Sequence, residues 1–443
     1  MKIKKSWKYI ISVSITLLIV IISTFVIYSN NRIGNFFRNT DTKSNSDDVY
    51  VKFDMEAYNK ILKNYWMPKN MMSDAQLSEI FRLSVQKVTS ASTTIVNHDA
   101  TSTEIMLRKA IAIATSTADK RSMALNIAAV VLYNLEPIGR NGLHSGLQEI
   151  AFRQTVSNIS SSTDLYKNLD IPIGSNIDVV NDAYKEKALE LAKASTTQAK
   201  EELKQITYAH NVLTDTNSKA LYDQSKIEPT VFKSIIGKTL YFNLTRVSPT
   251  SLQEFGRAID SASTSPGMDS MIIDLRGNIG GALDFVSAFL GIFIGENQYA
   301  FDLYHQGDMQ VQRTTMAKFD ELDRYKEIAI LTDNKSLSSA ELMTSTFKHF
   351  KLAHSVGQTT GGWGTIENTY PMETVIDPSQ QYLLLLVNSI TLRGDNTPIE
   401  GNGVEPDVSI DNPKWRSLLS NYFSSPSIIK ALKDHASAPP VKF

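Results

Sequence analysis

The alternation of strand-like and helix-like segments after residue 229 constrains the fold of this chain more than any other feature. Short runs rich in β-branched and aromatic residues begin near Thr239, Ser270 and Glu327, and stretches with helical periodicity separate them. Helices are predicted near 251–263, 282–292 and 340–350. Strands that alternate with helices of this length predict a layered α/β domain over residues 229–415.

Apart from residues 1–28, the rest of the chain divides into four segments. Residues 29–48 are polar, lack an apolar period and predict a linker. Residues 49–160 have helical periodicity interrupted by Ser/Thr-rich stretches, which predicts an α-helical N-terminal region. Residues 163–226 predict a second helical module, and residues 416–443 are interpreted as a C-terminal tail.

An uncharged apolar run extends over residues 9–28. As a helix this run spans a hydrocarbon core of about 30 Å, which predicts one transmembrane helix. Lysines are concentrated in residues 1–8, while Arg32 and Arg38 follow the run, so the positive-inside rule predicts a cytoplasmic N-terminus. The chain is therefore expected to be a single-pass cell-membrane protein with its bulk outside the cytoplasm. The alternative is a cleaved signal peptide, although the run exceeds a signal h-region and no small-x-small site follows.

Charge and cysteine content exclude several functions. The 45 basic and 46 acidic residues give a net charge of −1, so no basic face indicates nucleic-acid binding. The absence of cysteine excludes a thiol nucleophile, a thiolate metal site and disulfides. The sequence predicts neither a cofactor nor a metal, and it leaves the oligomeric state open.

Two turns carry the chemistry that the sequence offers. After Asp274, the glycines at 277, 280 and 281 open a turn whose backbone amides can face a ligand. The spacing matches neither G-x-G-x-x-G nor a P-loop, which leaves an oxyanion hole as the better interpretation than a phosphate cradle. In the second turn, Ser338 lies between a strand and a helix, where a nucleophile can meet helix N-terminal amides. The alternative for Ser338 is a helix N-cap with Glu341 as its capping-box partner.

Four motifs in order resemble the catalytic domain of the tail-specific, C-terminal processing serine peptidase family over about residues 230–415. They read DLRGNIGG, NKSLSSAE, VGQTTGGWG and GNGVEPDV. The resemblance implies an α/β catalytic domain that acts on polypeptides. It also implies that Ser338 is the nucleophile and that the amides of Ser339 and Gly281, or Gly280, form the oxyanion hole. FDMEAYNKILKNYW and LEPIGRNGLHSG are similar to the helical N-terminal part of that family.

The general base departs from the common family pattern. Trp363 occupies the position at which the family carries its lysine, and an indole cannot accept a proton. A second branch of the family, which resembles the tricorn protease, uses a histidine and a late glutamate, and His144 and Glu400 lie near those positions. The predicted triad is therefore Ser338, His144 and Glu400. The alternatives are that His144 is a surface residue, that Glu400 is a loop carboxylate, or that Lys335, Lys348, His349 or His354 is the base.

The module at 163–226 resembles a J-domain through its series of helices. A J-domain needs a His-Pro-Asp loop between its two long helices to stimulate a chaperone ATPase, and Ala194-Ser195-Thr196-Thr197 stands there instead. The module is therefore expected to be a spacer or a docking surface. An unrelated helical hairpin that shares an LYD ending is the alternative.

The sequence as a whole predicts a membrane-anchored, extracytoplasmic serine endopeptidase that hydrolyses exported or misfolded polypeptides. The alternative is a catalytically inactive pseudoprotease that binds peptides as a scaffold, because Trp363 replaces the family lysine. An unrelated α/β binding protein is the third possibility.

Overall fold

The computed structural model describes residues 48–159, 164–194, 196–263 and 267–440. The predicted transmembrane run at 9–28, the tail at 1–8 and nearly all of the linker at 29–48 lie outside these ranges. Within the described ranges no helix has both the length and the apolar character needed to cross a membrane. The chain forms two compact units, which are described separately.

Among the described residues, the first unit combines 48–63 and 69–143 with a distant segment, 370–384. Its helices form where the periodicity predicts them, and each buries one apolar stripe. Phe53 and Ile61 are fully buried on the first helix, Phe81 on the second, and Tyr382 of the distant segment packs edge-on against Phe53. The helices are α1 (Val49–Asn64), α2 (Asp74–Thr89), α3 (Ala100–Ile111) and α4 (Thr117–Tyr133).

The second unit contains 64–68, 144–369 and the chain from 385 onward. The predicted module at 163–226 is helical and has its own core, in which the Tyr222 hydroxyl accepts a hydrogen bond from the Leu165 backbone N–H at 2.9 Å. Its two ends meet in a β-bridge between Ile159 and Ile227. The likeness to a J-domain stays a prediction. Helix α5 (Gly146–Val156) precedes the module, which contains α6 (Leu165–Asn168), α7 (Ile177–Lys193), α8 (Thr197–Thr214) and α9 (Thr216–Ser225).

A six-stranded sheet forms the centre of the second unit. Its strand order is β11-β8-β7-β4-β3-β2, and every pair is parallel except β2 with β3. Helices α10, α11 and α12 connect its strands, as the predicted α/β alternation requires. The strands are β2 (Val231–Ile236), β3 (Thr239–Leu244), β4 (Ser270–Asp274), β7 (Glu327–Thr332), β8 (His354–Gly357) and β11 (Val408–Ser409). The helices are α10 (Ser251–Ser263), α11 (Leu283–Ile294) and α12 (Ser339–His349).

Both faces of this sheet are buried. Along β4, Met271 and Ile273 belong to one apolar core and Ile272 to another, because successive side chains point to opposite faces. The same alternation occurs in β7, where Ile330 faces the first core and Leu331 the second. Burial on both sides explains why these strands are continuous apolar runs in the sequence.

Smaller elements complete the second unit. A second sheet has the order β1-β10-β5-β6, with β9 paired to β10. The segment predicted as a tail, 416–443, contains a helix whose residues Ile428 and Leu432 are buried in the second core. These elements are β1 (Gly142–Ser145), β5 (Tyr299–His305), β6 (Asp308–Arg313), β9 (Thr365–Pro371), β10 (Tyr382–Leu392), α13 (Trp415–Leu418) and α14 (Pro426–His435).

The parallel strands place their loops at one edge of the central sheet. β4 ends at Asp274, β7 at Thr332 and β8 at Gly357, and residues 274 and 331 are neighbours in the strand register. Open α/β sheets bind ligands outside the carboxyl ends of their strands. The motif segments after Asp274, Thr332 and Gly357 therefore meet at the edge where a site is expected.

Candidate active site

Ser338 lies at the sharp turn between β7 and α12. Its backbone angles are φ 54° and ψ −119°, a positive-φ conformation that is uncommon for a residue with a Cβ. Such a conformation costs about 1–3 kcal/mol and persists only where the surroundings hold it. A strained serine on a strand-to-helix turn is the geometry that exposes a nucleophilic hydroxyl.

The helix-capping serines of the same chain have a different conformation. Ser73 and Ser145 cap α2 and α5 with φ of −84° and −80°, in the extended region typical of an N-cap. Ser338 is outside that region. The backbone therefore favours the nucleophile interpretation of Ser338 over the ordinary cap.

Two glycines bring the preceding loop against Ser338. A Cβ added to Gly280 would lie 2.7 Å from the Ser338 Cβ, and one added to Gly281 would lie 1.7 Å from the Val247 carbonyl oxygen. Both residues also have positive φ, 88° and 146°. Glycine is thus required at both positions, for close approach as well as for backbone conformation.

The amides in this loop differ in their availability. The Gly280 N–H donates to Asn278 Oδ1 at 2.8 Å, so it is already engaged. Within the described ranges, the N–H groups of Gly281 and Ser339 have no acceptor. Three amides were predicted to form the oxyanion hole. Those of Gly281 and Ser339 are the two that remain able to donate a hydrogen bond to an oxyanion.

Glu341 links the Ser338 turn to the segment that contains Trp363. One carboxylate oxygen accepts the backbone N–H groups of Ser338 at 2.8 Å and Trp363 at 2.7 Å. The other accepts the Gly362 N–H at 2.7 Å and the Thr360 hydroxyl at 2.6 Å. Burial raises the pKa of Glu341, although these four hydrogen bonds act in the opposite direction.

The backbone of Trp363 therefore lies next to Ser338. Its indole Nε1–H donates to Glu367 at 3.0 Å, and Glu367 also accepts the Thr365 hydroxyl. An indole donates only, so the residue at the family lysine position provides no proton acceptor.

Glu400 holds the other end of the same segment. Its carboxylate accepts the Gly364 N–H at 2.7 Å. A Cβ added to Gly364 would lie 2.1 Å from the Glu400 backbone nitrogen, so the two backbones are in direct contact. The Glu400 carboxylate thus orders the backbone beside Trp363.

His144 lies in β1 with Glu149 as the neighbouring carboxylate. Their closest atoms, Nδ1 and Oε2, are 3.8 Å apart, which is too long for a hydrogen bond. Burial lowers the pKa of His144, while Glu149 acts in the opposite direction. Glu149 also accepts a hydrogen bond from the Arg153 Nε at 2.8 Å.

His144 and Glu400 lie near opposite ends of β9. Glu149, beside His144, accepts the Thr369 hydroxyl at 3.3 Å, whereas Glu400 binds the residue that precedes Thr365. A strand rises about 3.3 Å per residue, so Thr365 and Thr369 are separated by roughly 13 Å. No hydrogen bond among the described residues joins the Ser338 hydroxyl to His144 or Glu400. The triad stays a prediction.

The lysines and histidines that are the alternative candidates for the base lie in different surroundings. Lys335 is exposed, and the Lys348 ammonium lies 3.0 Å from an Asp407 carboxylate oxygen. His354 packs edge-on against Phe423, and its Nδ1 is 3.8 Å from Asp407. The His349 ring packs against Tyr299 and Phe350.

Sequence reasoning missed two residues that shape the site. Asn278 orders the glycine loop through its side chain, which also donates to the Leu244 carbonyl at 2.7 Å. The sequence indicated Glu341 only as a capping-box partner of Ser338. Its contacts with Gly362 and Trp363 depend on the tertiary fold. Across the described ranges, no group of three or more His, Asp or Glu side chains has an arrangement that could hold a metal ion.

The arrangement around Ser338 is typical of one class of enzyme. A serine at a strained strand-to-helix turn, close to two amides that lack an acceptor among the described residues, is typical of the sites of serine hydrolases. Residues 238–410 match the model of peptidase family S41, and the domain they form belongs to this family. The predicted family of the catalytic domain is thereby confirmed.

The curated relatives match this domain only in part. A probable CtpA-like serine protease of Staphylococcus aureus is 32% identical over 152 residues, which are 34% of this chain and 29% of the relative. Its counterpart in Staphylococcus epidermidis is 30% identical over 152 residues, 34% of this chain and 30% of the relative. The match therefore spans less than a third of the relatives' length. The solved photosystem II D1 C-terminal processing protease aligns with 90% of this chain and all of its own, at 12% identity and a TM-score of 0.48.

Proposed function

We propose that the chain is a membrane-anchored, extracytoplasmic serine endopeptidase of the C-terminal processing type. The observation that carries this proposal is the backbone of Ser338, held at positive φ beside the N–H groups of Gly281 and Ser339. Membership of the 238–410 domain in peptidase family S41 and the names of its staphylococcal relatives support it. The apolar run at 9–28 supports the membrane anchor.

In this mechanism the Ser338 Oγ attacks the carbonyl carbon of the scissile peptide bond. The developing oxyanion accepts hydrogen bonds from the Gly281 and Ser339 amides, and the resulting acyl-enzyme is hydrolysed by water. His144 takes the serine proton and returns it to the leaving amine, with Glu400 orienting the imidazole. Burial, which lowers the pKa of His144, keeps the imidazole neutral as a base must be. Because His144 lies along β9 from Ser338, this assignment requires His144 to approach Ser338 in the substrate complex.

The proposed substrates are exported or misfolded polypeptides. A polypeptide has the scissile carbonyl that the site is built to receive, and an extracytoplasmic domain meets exported chains first. The helical module at 163–226 is proposed as a spacer or docking surface for this domain, since the His-Pro-Asp loop of a J-domain is absent from its sequence.

Substitution of Ser338 tests the nucleophile. Ser338→Ala is expected to abolish both the hydrolysis of an unfolded polypeptide and covalent labelling by a fluorophosphonate, because both need the hydroxyl. Ser345→Ala, on the same helix, is the matched control and should retain both. Labelling of the Ser338→Ala protein at the wild-type rate would contradict the assignment.

A peptide-binding scaffold without catalysis is the second candidate. Trp363 favours it, because an indole stands where the family carries its base and donates to Glu367 instead. The scaffold predicts that wild type hydrolyses no unfolded substrate and binds peptides equally well after Ser338→Ala. That pair of results would replace the enzyme with the scaffold.

A further inference from the structure

One buried carboxylate connects two parts of the site that are distant in sequence. Glu341 is fully buried in the first turn of α12. A single one of its oxygens accepts the N–H of both Ser338 and Trp363. The two N–H groups that determine the position of the nucleophile and of side chain 363 thus converge on one atom.

Direct contacts between the segments accompany this shared acceptor. The Gly361 N–H donates to the Ser336 carbonyl at 3.0 Å. A Cβ added to Gly361 would lie 2.1 Å from the end of the Leu337 side chain and 2.8 Å from the Asn334 carbonyl oxygen. The segment 360–364 therefore lies directly on the Ser338 turn, with no room for a side chain between them.

We infer that Glu341 is a positioning residue that fixes Ser338 and residue 363 in one common geometry, so that displacement of the 360–364 segment displaces the nucleophile. The argument is electrostatic and geometric. An ionised carboxylate forms stronger hydrogen bonds to N–H donors than a neutral acceptor does, and each oxygen of Glu341 already accepts two donors. The strained φ of Ser338 needs such a restraint, since its own side chain does not favour that conformation. The catalytic consequence rests on the proposed function, whereas the coupling of the two segments does not.

The test uses Glu341→Gln in the full-length chain. Glutamine keeps the shape but turns an NH2 group toward one pair of donors, and each pair includes a donor from the 360–364 segment, so either orientation weakens the shared restraint. Hydrogen exchange should become faster in peptides covering both 334–341 and 358–364, and fluorophosphonate labelling of Ser338 should slow by about 10- to 100-fold. Glu341→Asp, which keeps the charge but is shorter, is the second variant if Glu341→Gln fails to fold.

Glu327→Gln is the matched control. Glu327 also accepts two backbone N–H groups, from Ser424 and Ser425 at 2.6 and 2.9 Å, but it contacts the C-terminal segment instead of the Ser338 turn. Its substitution should leave labelling and the exchange of both site segments unchanged. Unchanged exchange in Glu341→Gln, faster exchange of only one segment, or the same changes in the control would overturn the inference. If wild type is not labelled at all, the proposed function fails, and the exchange result still decides the role of Glu341.

Discussion

At the scale of single residues, position 363 bears directly on the role proposed for Ser338. The Trp363 N–H shares a Glu341 oxygen with the Ser338 N–H, so a side chain at 363 starts beside Ser338. Because the indole accepts no proton, the base has to come from elsewhere or be absent. Both outcomes are open to direct measurement.

His144→Ala is expected to abolish hydrolysis to about the same residual level as Ser338→Ala. Members of one catalytic unit are not additive, so the loss of either removes the whole proton transfer. Glu400→Gln should cost less, because nucleophile and base remain. As burial lowers the pKa of His144, wild-type activity should persist below the ordinary histidine pKa of about 6.5 and fall only as the imidazole becomes protonated. Full activity of His144→Ala would agree with the proposed enzymatic function but would exclude His144 as the general base.

Trp363→Lys tests the same question from the other direction. A lysine at 363 places an amine beside Ser338, so we expect Trp363→Lys to restore labelling to the His144→Ala protein. A general base contributes about 10²- to 10⁴-fold, which sets the scale of the rescue. Trp363→Arg is the matched control, because a guanidinium carries the same charge but cannot accept a proton. Equal rescue by both variants would show that positive charge, and not basicity, is responsible.

Asp54 in α1 is a carboxylate buried at a cost to stability. It is fully buried, and among the described residues neither of its oxygens has a hydrogen-bond partner. Burial raises its pKa well above the ordinary value, so the folded state holds the proton more tightly than the unfolded chain. The contribution of Asp54 to stability is therefore most favourable in acid and becomes less favourable as the pH rises from the unfolded pKa toward the folded one.

Asp54→Asn should remove this dependence. We expect the variant to raise the free energy of unfolding by about 1–3 kcal/mol near pH 8 and by less near pH 5, because asparagine cannot ionise. Denaturant unfolding at the two pH values measures the difference. Asp182→Asn, at an exposed position, is the control and should change neither value. An equal gain at both pH values would show that the pKa of Asp54 is not raised in the folded chain, because the folded and unfolded states would then bind the same number of protons at pH 5 and at pH 8.

At the scale of elements, the sequence was most informative where a strand is buried on both faces. β3, β4 and β7 are short, mostly apolar runs. They were predicted because the apolar pattern of such a strand is complete within a few consecutive residues. The hairpin of β5 and β6 was not predicted, since β6 is mostly exposed and polar. Segment 370–384 was not assigned to the first unit, because its contact with α1 joins residues more than 300 positions apart, as in the hydrogen bond from the Glu373 N–H to Glu56.

The C-terminal segment shows the same limit. It was interpreted as a tail, yet α14 packs on the central sheet, and the Arg276 guanidinium donates to the carbonyls of Ala436 and Ala438 at 3.0 and 2.5 Å. Arg276 is in turn held by two hydrogen bonds to Asp274, at 2.9 and 2.6 Å. The apolar spacing of a ten-residue helix does not reveal its partner. Its docking site therefore emerges only from the fold.

Leu432→Ala tests whether α14 belongs to the core. Leu432 is fully buried, so its truncation should lower the free energy of unfolding by about 2–5 kcal/mol through lost burial and a residual cavity. The exposed neighbour Lys433 is the control, and Lys433→Ala should stay within about 0.5 kcal/mol of wild type. Thermal or denaturant unfolding measures both. If Leu432→Ala changes the free energy of unfolding as little as Lys433→Ala does, the segment 416–443 is a loosely attached tail.

At the scale of the whole molecule, four motifs spread along the chain converge on Ser338. Leu337 bonds to Asn278, Gly361 to Ser336 and Gly401 to Gly362 through backbone hydrogen bonds of 2.8, 3.0 and 3.0 Å. The order of the motifs was enough to predict the family of the domain at 238–410, whereas Ser338 as the nucleophile stays a prediction. The order of the motifs was not enough to locate the base, because the position of His144 relative to Ser338 depends on how β1, β9 and β10 pair.

The membrane topology is the remaining large-scale proposal, and it depends on charge alone. Lysines in residues 1–8 should hold the N-terminus in the cytoplasm, because positive residues resist translocation. In intact cells, a protease added outside is therefore expected to degrade an epitope placed after Phe443 and to spare one placed before Met1. Permeabilised cells are the control, and there both epitopes should be lost.

The same experiment separates the anchor from a cleaved signal peptide. An anchored chain keeps both epitopes on one polypeptide in the membrane fraction, whereas cleavage after the run at 9–28 would release a shorter chain that has lost the first epitope. Replacing the lysines of residues 1–8 with glutamine should weaken the orientation and protect part of the C-terminal epitope, because the charge difference across the run then favours the opposite sense. Protection of that epitope already in wild type would place the catalytic domain in the cytoplasm, and exported polypeptides would cease to be its substrates.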